Sequence, residues 1–391
     1  MESLTIKDAF LEGKKIVLGL SGGIDSVVLL HYLNTHYQHN LRAVHCNHHL
    51  SKHCNEWQKF CKNLCRELDV DYLNIDIELE KSSNIEENAR KCRYNSLSSN
   101  LKENEVLCTA HHQDDQAETL LLQLFRGSGV AGLASMPKSK PLGKGIHYRP
   151  LLNIPKADIV QYAQKNQLSW VEDESNIDTN FRRNFLRIEI IPKLTEVYKN
   201  LANTLARSAK HQSESLRLMQ DLAANDILQL QLLSNNQLNI ERLNQLETHR
   251  IKNIMRYHLS NLQFLPPSNK VMQQILALLN VKKDAVPLVN WAEFEVRRYQ
   301  NMLHFINNKT PEAAGFCRYH TEFKDQENFS IHYRYDGQRV KLPNKNHSQS
   351  LKKILQEAEI PPWERSTLRM YYINNELRAM ERIGYMQSHK S

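Results

Sequence analysis

Apolar residues in the first 190 positions come in short runs: KKIVLGL (14–20), NLRAVHC (40–46), DYLNIDI (71–77) and EVLCTAH (105–111). Each reads as a short buried strand. Between them residues 24–36, 56–68 and 84–101 carry apolar positions at helical spacing, and a fourth such stretch follows at 114–126. This alternation predicts an α/β fold, a Rossmann-like parallel sheet with helices on both faces. From Lys193 to Leu265 there is no proline, and from Ile146 to Ala314 no glycine. That stretch predicts a helical domain, entered through a long helix near Ile191–Met219. Pro266 and Pro267 break it, and WAEFEVRRYQNMLHFI (291–306) alternates like a strand pair. A linker is expected near 307–328, and 329–391 mixes short strands with one helix near 349–358. The expected division is 1–195, 196–310 and a small α+β domain at 329–391.

Composition changes this picture little. With 391 residues the chain exceeds one ordinary core, and 41% hydrophobic against 24% charged residues is ordinary for a soluble protein. No apolar run is long enough to span a bilayer, and the start MESLTIKDAF lacks a signal-peptide layout, so a cytoplasmic protein with no membrane partner is expected. Seven cysteines without a regular framework fit a reducing compartment. The net charge of +8 is uneven: residues 331–391 hold 11 Lys/Arg against 6 Asp/Glu. A basic tail suits a polyanion such as nucleic acid, and equally a solvated surface.

Chemistry concentrates in two strings. In LGLSGGIDS (18–26) two glycines follow a strand and open a helix, where amide N–H groups and the helix dipole converge on an anion. Gly22 and Gly23 allow close approach of backbone to phosphate, Ser21 and Ser26 offer hydroxyls, and Asp25 can cap the helix or bind metal. The lysine that kinase-type loops aim at the β- and γ-phosphates is missing. A loop of amides and hydroxyls suits a pyrophosphate that leaves whole while the α-phosphate is attacked. The second string, AHHQDDQAETL (110–120), lies just past a strand, at the sheet edge where α/β proteins bind ligands. Asp114, Asp115 and Glu118 open the next helix, with Asp115 and Glu118 on one face. They can hold a cationic amine or a metal ion, beyond what capping requires.

The first string resembles the pyrophosphate loop (PP-loop) of N-type ATP pyrophosphatases. With HHxDDxxET it is similar to the tRNA(Ile)-lysidine synthetase family. HCNHHLSKHCNEW (45–57) resembles that family's strand–loop segment, which usually carries glycine where this chain has His49. NIEENARKCRYNSL (84–97), VEDESNIDTNFRRNFLRIEIIP (171–192) and SLKKILQEAEIPPWERSTLRM (350–370) match further segments. The resemblance covers 14–192 densely and 338–380 clearly; between them it rests on helical character alone. It implies joining of the ε-amine of free L-lysine to C2 of the wobble cytidine in the CAU anticodon of isoleucine tRNA, through an adenylylated intermediate, with release of AMP and pyrophosphate. Codon reading then changes from AUG to AUA. By motif, Ser21, Gly22, Gly23, Ile24, Asp25 and Ser26 bind ATP, with Mg²⁺ held by candidates Asp25 and Asp114. Asp115 and Glu118 grip the lysine. Asp115 or His112 accepts the amine's proton, and Arg93, with Arg183 or Arg187, neutralises phosphate or holds the lysine carboxylate. Arg183, Arg187, Lys352, Lys353 and Arg369 are the tRNA contacts, and a homodimer is compatible with this reading.

Other readings differ in named features. A PP-loop tRNA thiolase shares the loop but needs a reactive cysteine, whereas Cys108 sits in a buried strand. A non-catalytic RNA-binding protein has no use for anions beside the loop. Residues 45–65, with His45, Cys46, His48, His49, His53, Cys54, Cys61 and Cys65, invite a zinc reading. No Cys-x-x-Cys occurs there, and Cys61 and Cys65 lie on an apolar helix face, so core cysteines are expected. Trp363 is expected to anchor the last domain.

Overall fold

The structure is a computed structural model that describes residues 9–37, 40–77, 85–234, 236–281, 287–308, 318–343 and 347–386, with the side chains of 85–87 excluded. The expected start of the third helix at Asn84, much of the expected linker and the MESLTIKD segment lie outside these residues. Two compact units divide the chain at Met219/Gln220.

In residues 1–219 the predicted alternation is realised. The strands are β1 (Lys15–Gly19), β2 (Leu41–Asn47), β3 (Asp71–Asp76) and β4 (Glu105–Cys108), and the helices are α1 (Ile24–Tyr37), α2 (Cys54–Glu67), α3 (Ile85–Ser99) and α4 (Gln113–Phe125). A hairpin not foreseen in the sequence adds β5 (Ser139–Leu142) and β6 (Gly145–Tyr148). The sheet order is β3-β2-β1-β4-β6-β5, parallel throughout except for the β5–β6 edge pair. β3 is the opposite edge, so it alternates in exposure instead of being buried throughout. α1 is apolar nearly all round because it is packed on both sides, with Val27, Val28, Leu29, Leu30 and Leu33 all in the interior.

The order places β1 between β2 and β4, with the chain leaving β1 to opposite sides. That reversal is the topological switch point at which such sheets open a crevice beyond their carboxyl ends. Leu18 stands beside Cys108 in register. The two polar strings, about ninety residues apart in sequence, therefore emerge side by side.

Two expectations need correction. The predicted long helix is broken: one helix runs Ile191–Val197, Asn200 takes φ +60°, and a second runs Leu201–Gln229, ten residues past the expected end. The middle segment is also not purely helical. In residues 220–391, helices Thr248–Asn261 and Asn269–Ala277 accompany a five-stranded antiparallel sheet that includes the predicted pair, Phe294–Tyr299 with Met302–Asn307. The strands outside that pair are two to four residues long, so they resemble loop sequence between the helices.

The last segment has a four-stranded sheet and a helix Leu351–Glu357 with its own apolar cluster around Leu351, Ile354, Leu355 and Met370. Trp363 lies edge-on to His304 and Tyr299 at 5.1 and 6.0 Å, with Arg297 over its ring, so it anchors that segment as expected. Among the described residues no helix is long and apolar enough to cross a membrane.

Candidate active site

The loop after β1 is closed upon itself. Ser26 Oγ accepts from the amides of Ser21 (3.2 Å) and Gly22 (3.1 Å) and donates to the Gly23 carbonyl (2.9 Å). The first-turn amides of α1 remain without intrahelical acceptors, which is what an anion site requires. Gly22 has φ +88°, and a Cβ there would meet Val171 Cγ2 at 2.8 Å, so its glycine is dictated by packing and backbone. Its carbonyl accepts from Val171 N at 3.0 Å, tying the loop to a distant segment. Ile24 packs into the core beneath.

Asp25 holds a partner that sequence reading missed. Lys156, first residue of the helix Lys156–Lys165, places Nζ 2.5 Å from Asp25 Oδ1, and its amide donates to Asp114 Oδ2 at 2.9 Å. A lysine thus stands beside the loop, supplied from 131 residues away. The available signal was a charged residue after proline at a helix start, in NIPKAD.

α4 carries the acids. The His112 amide donates to Asp115 Oδ2 at 3.0 Å, and the His112 ring lies 3.5–3.8 Å from carboxylate oxygens of Asp115, Asp114 and Asp25. Burial alone would pull its pKa down, but the three carboxylates outweigh it and raise it. Asp115 is held well below the usual carboxylate range: burial would lift it, but His112 and the Arg183 guanidinium lower it further. Glu118, 1% exposed, is gripped by two guanidinium groups: Arg183 Nε at 2.7 Å and Arg187 Nε at 2.6 Å, with Arg187 Nη2 at 3.0 Å. Arg187 also reaches Asp115 Oδ1 at 3.3 Å.

A cavity of about 740 Å³ collects most of these groups. Ser21, Gly23, Asp25 and Ser26 line one side; Asp115, Arg183, Arg187 and Arg93 line others. Glu118, Asp114 and His112 stand behind this lining. Arg93 Nε is 3.2 Å from His48 Nε2. Burial first, then the Arg93 charge, pushes His48 down to about 4, so it is neutral at physiological pH. His49, at the usual glycine position, has φ +53°, which accounts for that glycine. Here the turn is braced by its amide on Asn47 Oδ1 (2.9 Å) and its ring on Asp76 Oδ1 (3.0 Å). Cys61 and Cys65 are core residues, their thiols pushed up to about 12 by burial. Lys352, Lys353 and Arg369 belong to the other unit; Lys353 lies 3.8 Å from Glu357, and Arg369 3.9 Å from Glu381.

Beneath the cavity floor lies a buried basic array on β6 and beyond, His147 and Arg149. Burial, then Arg149, pushes His147 down to about 2. Its folded pKa lies below its unfolded value near 6.5, so the unfolded chain protonates first as pH falls. The neutral-His147 contribution is therefore intact above pH 6.5 and is lost on acidification, at up to about 1.4 kcal/mol per pH unit. Urea midpoints measured from pH 7 to 4.5 should fall less steeply for His147→Gln than for the natural chain. Parallel curves would mean that His147 does not titrate as described.

Comparisons with known proteins bear on this geometry. Residues 2–194 match the PP-loop domain family, 238–304 the TilS substrate binding domain and 329–391 the TilS substrate C-terminal domain. The middle match falls where sequence reading had helical character alone. The tRNA(Ile)-lysidine synthase of Legionella pneumophila (strain Lens) is 37% identical, over 96% of this chain and 92% of that protein. The chain belongs to the tRNA(Ile)-lysidine synthase family. The Coxiella burnetii member is 35% identical over 94% of this chain and 88% of its own length. A solved U34-tRNA thiolase from Methanococcus maripaludis has TM-score 0.42 and 20% identity, covering 51% of this chain and 73% of that chain.

Proposed function

We propose that this protein is a carbon–nitrogen ligase that joins L-lysine to the wobble cytidine of isoleucine tRNA bearing CAU, using ATP. Membership of the synthase family across nearly the whole chain supports this reading over a thiolase. The observation that carries it is the convergence, at one switch-point cavity, of an anion-binding loop and a carboxylate-rich helix start.

In the first step the cytidine O2 attacks the α-phosphorus of ATP and pyrophosphate leaves. Ser21 to Ser26 hold the departing pyrophosphate, and Lys156 stands ready to exchange Asp25 for a phosphate oxygen. Asp25 and Asp114, whose carboxylates both lie within 3.8 Å of the His112 ring, would hold a Mg²⁺ ion beside the triphosphate, and the ion would screen the phosphate charge. In the second step the lysine ε-amine adds to C2, loses a proton and expels AMP. Asp115 faces the amine from the cavity wall, with Glu118 behind it adding negative charge. Asp115 or His112 accepts the proton, and Arg93 faces the phosphate or the lysine carboxylate. Arg183 and Arg187 reach the tRNA only by loosening their hold on Glu118. The three-part division at 1–195, 196–310 and 329–391 and a homodimer are compatible with this scheme.

Because adenylylation precedes amine attack, ATP–pyrophosphate exchange should depend on the CAU tRNA and proceed without lysine. Exchange that needs lysine but not tRNA would instead mean activation of the amino acid.

The basic tail gives a separate expectation. Lys352 and Lys353 are exposed at one face of the helix Leu351–Glu357. If each meets a phosphate, replacing both by alanine should lower the salt slope of tRNA affinity by about 0.9 per contact while leaving the ATP dependence unchanged. Superimposable salt curves would assign them to a solvated surface.

A further inference from the structure

Four side chains form a line that runs from beneath the cavity to its wall. Arg149 Nη2 lies 3.3 Å from His147 Nδ1, His147 Nε2 is 2.8 Å from Thr109 Oγ1, and Thr109 Oγ1 is 2.8 Å from His111 Nδ1. Arg149 is itself fixed by donating Nη1 to the Pro137 carbonyl at 2.6 Å. His147 is fully buried and Arg149 is 3% exposed, whereas Thr109, 9% exposed, and His111 line the cavity.

The directions of the first two hydrogen bonds in this line follow from its far end. A guanidinium only donates, so His147 Nδ1 must accept and carries no proton. The neutral His147 ring then has its proton on Nε2 and donates it to Thr109 Oγ1. Thr109 Oγ1 keeps a second lone pair, so towards His111 Nδ1 it can accept or donate; donation places its own hydroxyl proton on an acceptor 2.8 Å away. In that arrangement His111 carries its own proton on Nε2, the nitrogen not spent on Thr109.

We propose that Arg149, His147 and Thr109 are positioning residues that lock His111 as the neutral Nε2–H tautomer, so that it serves as a hydrogen-bond donor to a phosphate oxygen of the bound nucleotide. Burial, with the nearby Arg149, Arg90 and Arg183 charges against the single opposing Asp115, also keeps the ring neutral. A neutral donor stabilises charge developing on a phosphate oxygen without surrendering its proton. This division of labour leaves proton acceptance to the neighbouring groups. The identity of the oxygen rests on the function proposed above; the tautomer does not.

The test separates the two. Long-range ¹H–¹⁵N NMR of the ligand-free protein with ¹⁵N-histidine reads the tautomer directly, the His111 peaks being assigned by their loss in His111→Gln. The expected spectrum has His111 protonated on Nε2 alone, and Thr109→Val, which removes the hydroxyl at equal size, should give a mixture of tautomers. Protonation on Nδ1, a doubly protonated ring, or an unchanged pattern in Thr109→Val would overturn the relay. In kinetics, Thr109→Val should slow tRNA adenylylation about 10-fold, below the roughly 10²–10³-fold cost of losing a whole donor. Its KM for ATP should stay within about 2-fold, and Thr109→Ser should restore the rate. Equal rates in Thr109→Val and the natural protein would overturn the donor role even with the tautomer confirmed. Should Thr109→Val fail to fold, the natural spectrum and Thr109→Ser still decide the matter.

Discussion

Asp25→Ala should reduce AMP formation at least about 10³-fold while tRNA affinity stays nearly intact. The carboxylate holds Lys156 at 2.5 Å, so its loss frees a lysine that in the proposed scheme turns to the phosphates. Loss of a preorganised charge partner in such a site costs on the order of 10²–10³-fold alone. If Asp25 also holds Mg²⁺, its loss removes a metal carboxylate and adds to this. Ser26→Ala should act comparably by another route. Its hydroxyl is the hub that closes the loop, accepting two amides and donating to one carbonyl, and alanine leaves those amides without a partner. Lys156→Met should reproduce the Asp25 effect, although it lies on a different helix. The measurement is tRNA-dependent pyrophosphate release beside filter-binding of tRNA. Normal turnover in any of the three variants would remove that residue from the phosphate site.

The second large effect concerns Glu118. Its carboxylate is buried and pairs with both Arg183 and Arg187. Glu118→Ala leaves the two guanidinium groups sharing Asp115, at 3.7 and 3.3 Å, and should cost about 1–3 kcal/mol of stability. Glu118→Gln keeps the shape but removes the charge and turns an NH₂ toward a guanidinium donor. Under saturating ATP it should still adenylylate tRNA at a rate within a few-fold of the natural protein. Its KM for lysine should rise about 10²-fold, because the negative charge that draws the ammonium into the Asp115 corner is gone. Thermal unfolding of the same variant separates this from loss of fold. An unchanged dependence on lysine concentration would confine Glu118 to holding the two arginines.

Much of the catalytic half was legible because its signals are local. β1, β2 and β4 are largely buried parallel strands and read as mostly apolar runs, β2 being broken only by Arg42 and His45 before its terminal Asn47, and the helices between them keep their 3.6-residue period. The two motifs were legible as separate strings; their meeting at one cavity follows from the strand order. What escaped notice depends on tertiary contact. Lys156 acquires meaning only when its helix is brought to Asp25. His147 and Arg149 look like an ordinary basic alternation until the β6 register puts His147 beside Leu107, two residues before Thr109. Glu118 read as an open acid because nothing local reveals that the Arg183–Arg187 segment folds back over it. The other three strands of the middle sheet were missed because segments of two to four residues leave no lasting period-2 pattern, unlike the 291–306 pair.

The central claim is that one cavity first activates a tRNA base with ATP and then delivers lysine to it. The most direct test incubates the purified full-length protein with ATP-Mg²⁺, isoleucine tRNA bearing CAU and radiolabelled lysine, followed by nuclease digestion and mass analysis of the wobble nucleoside. The account predicts one lysine per tRNA, attached at the wobble cytidine in equal measure with AMP released, and none in Asp25→Ala. Label confined to the tRNA 3′ end, or sulfur incorporated from a persulfide donor in place of lysine, would contradict it.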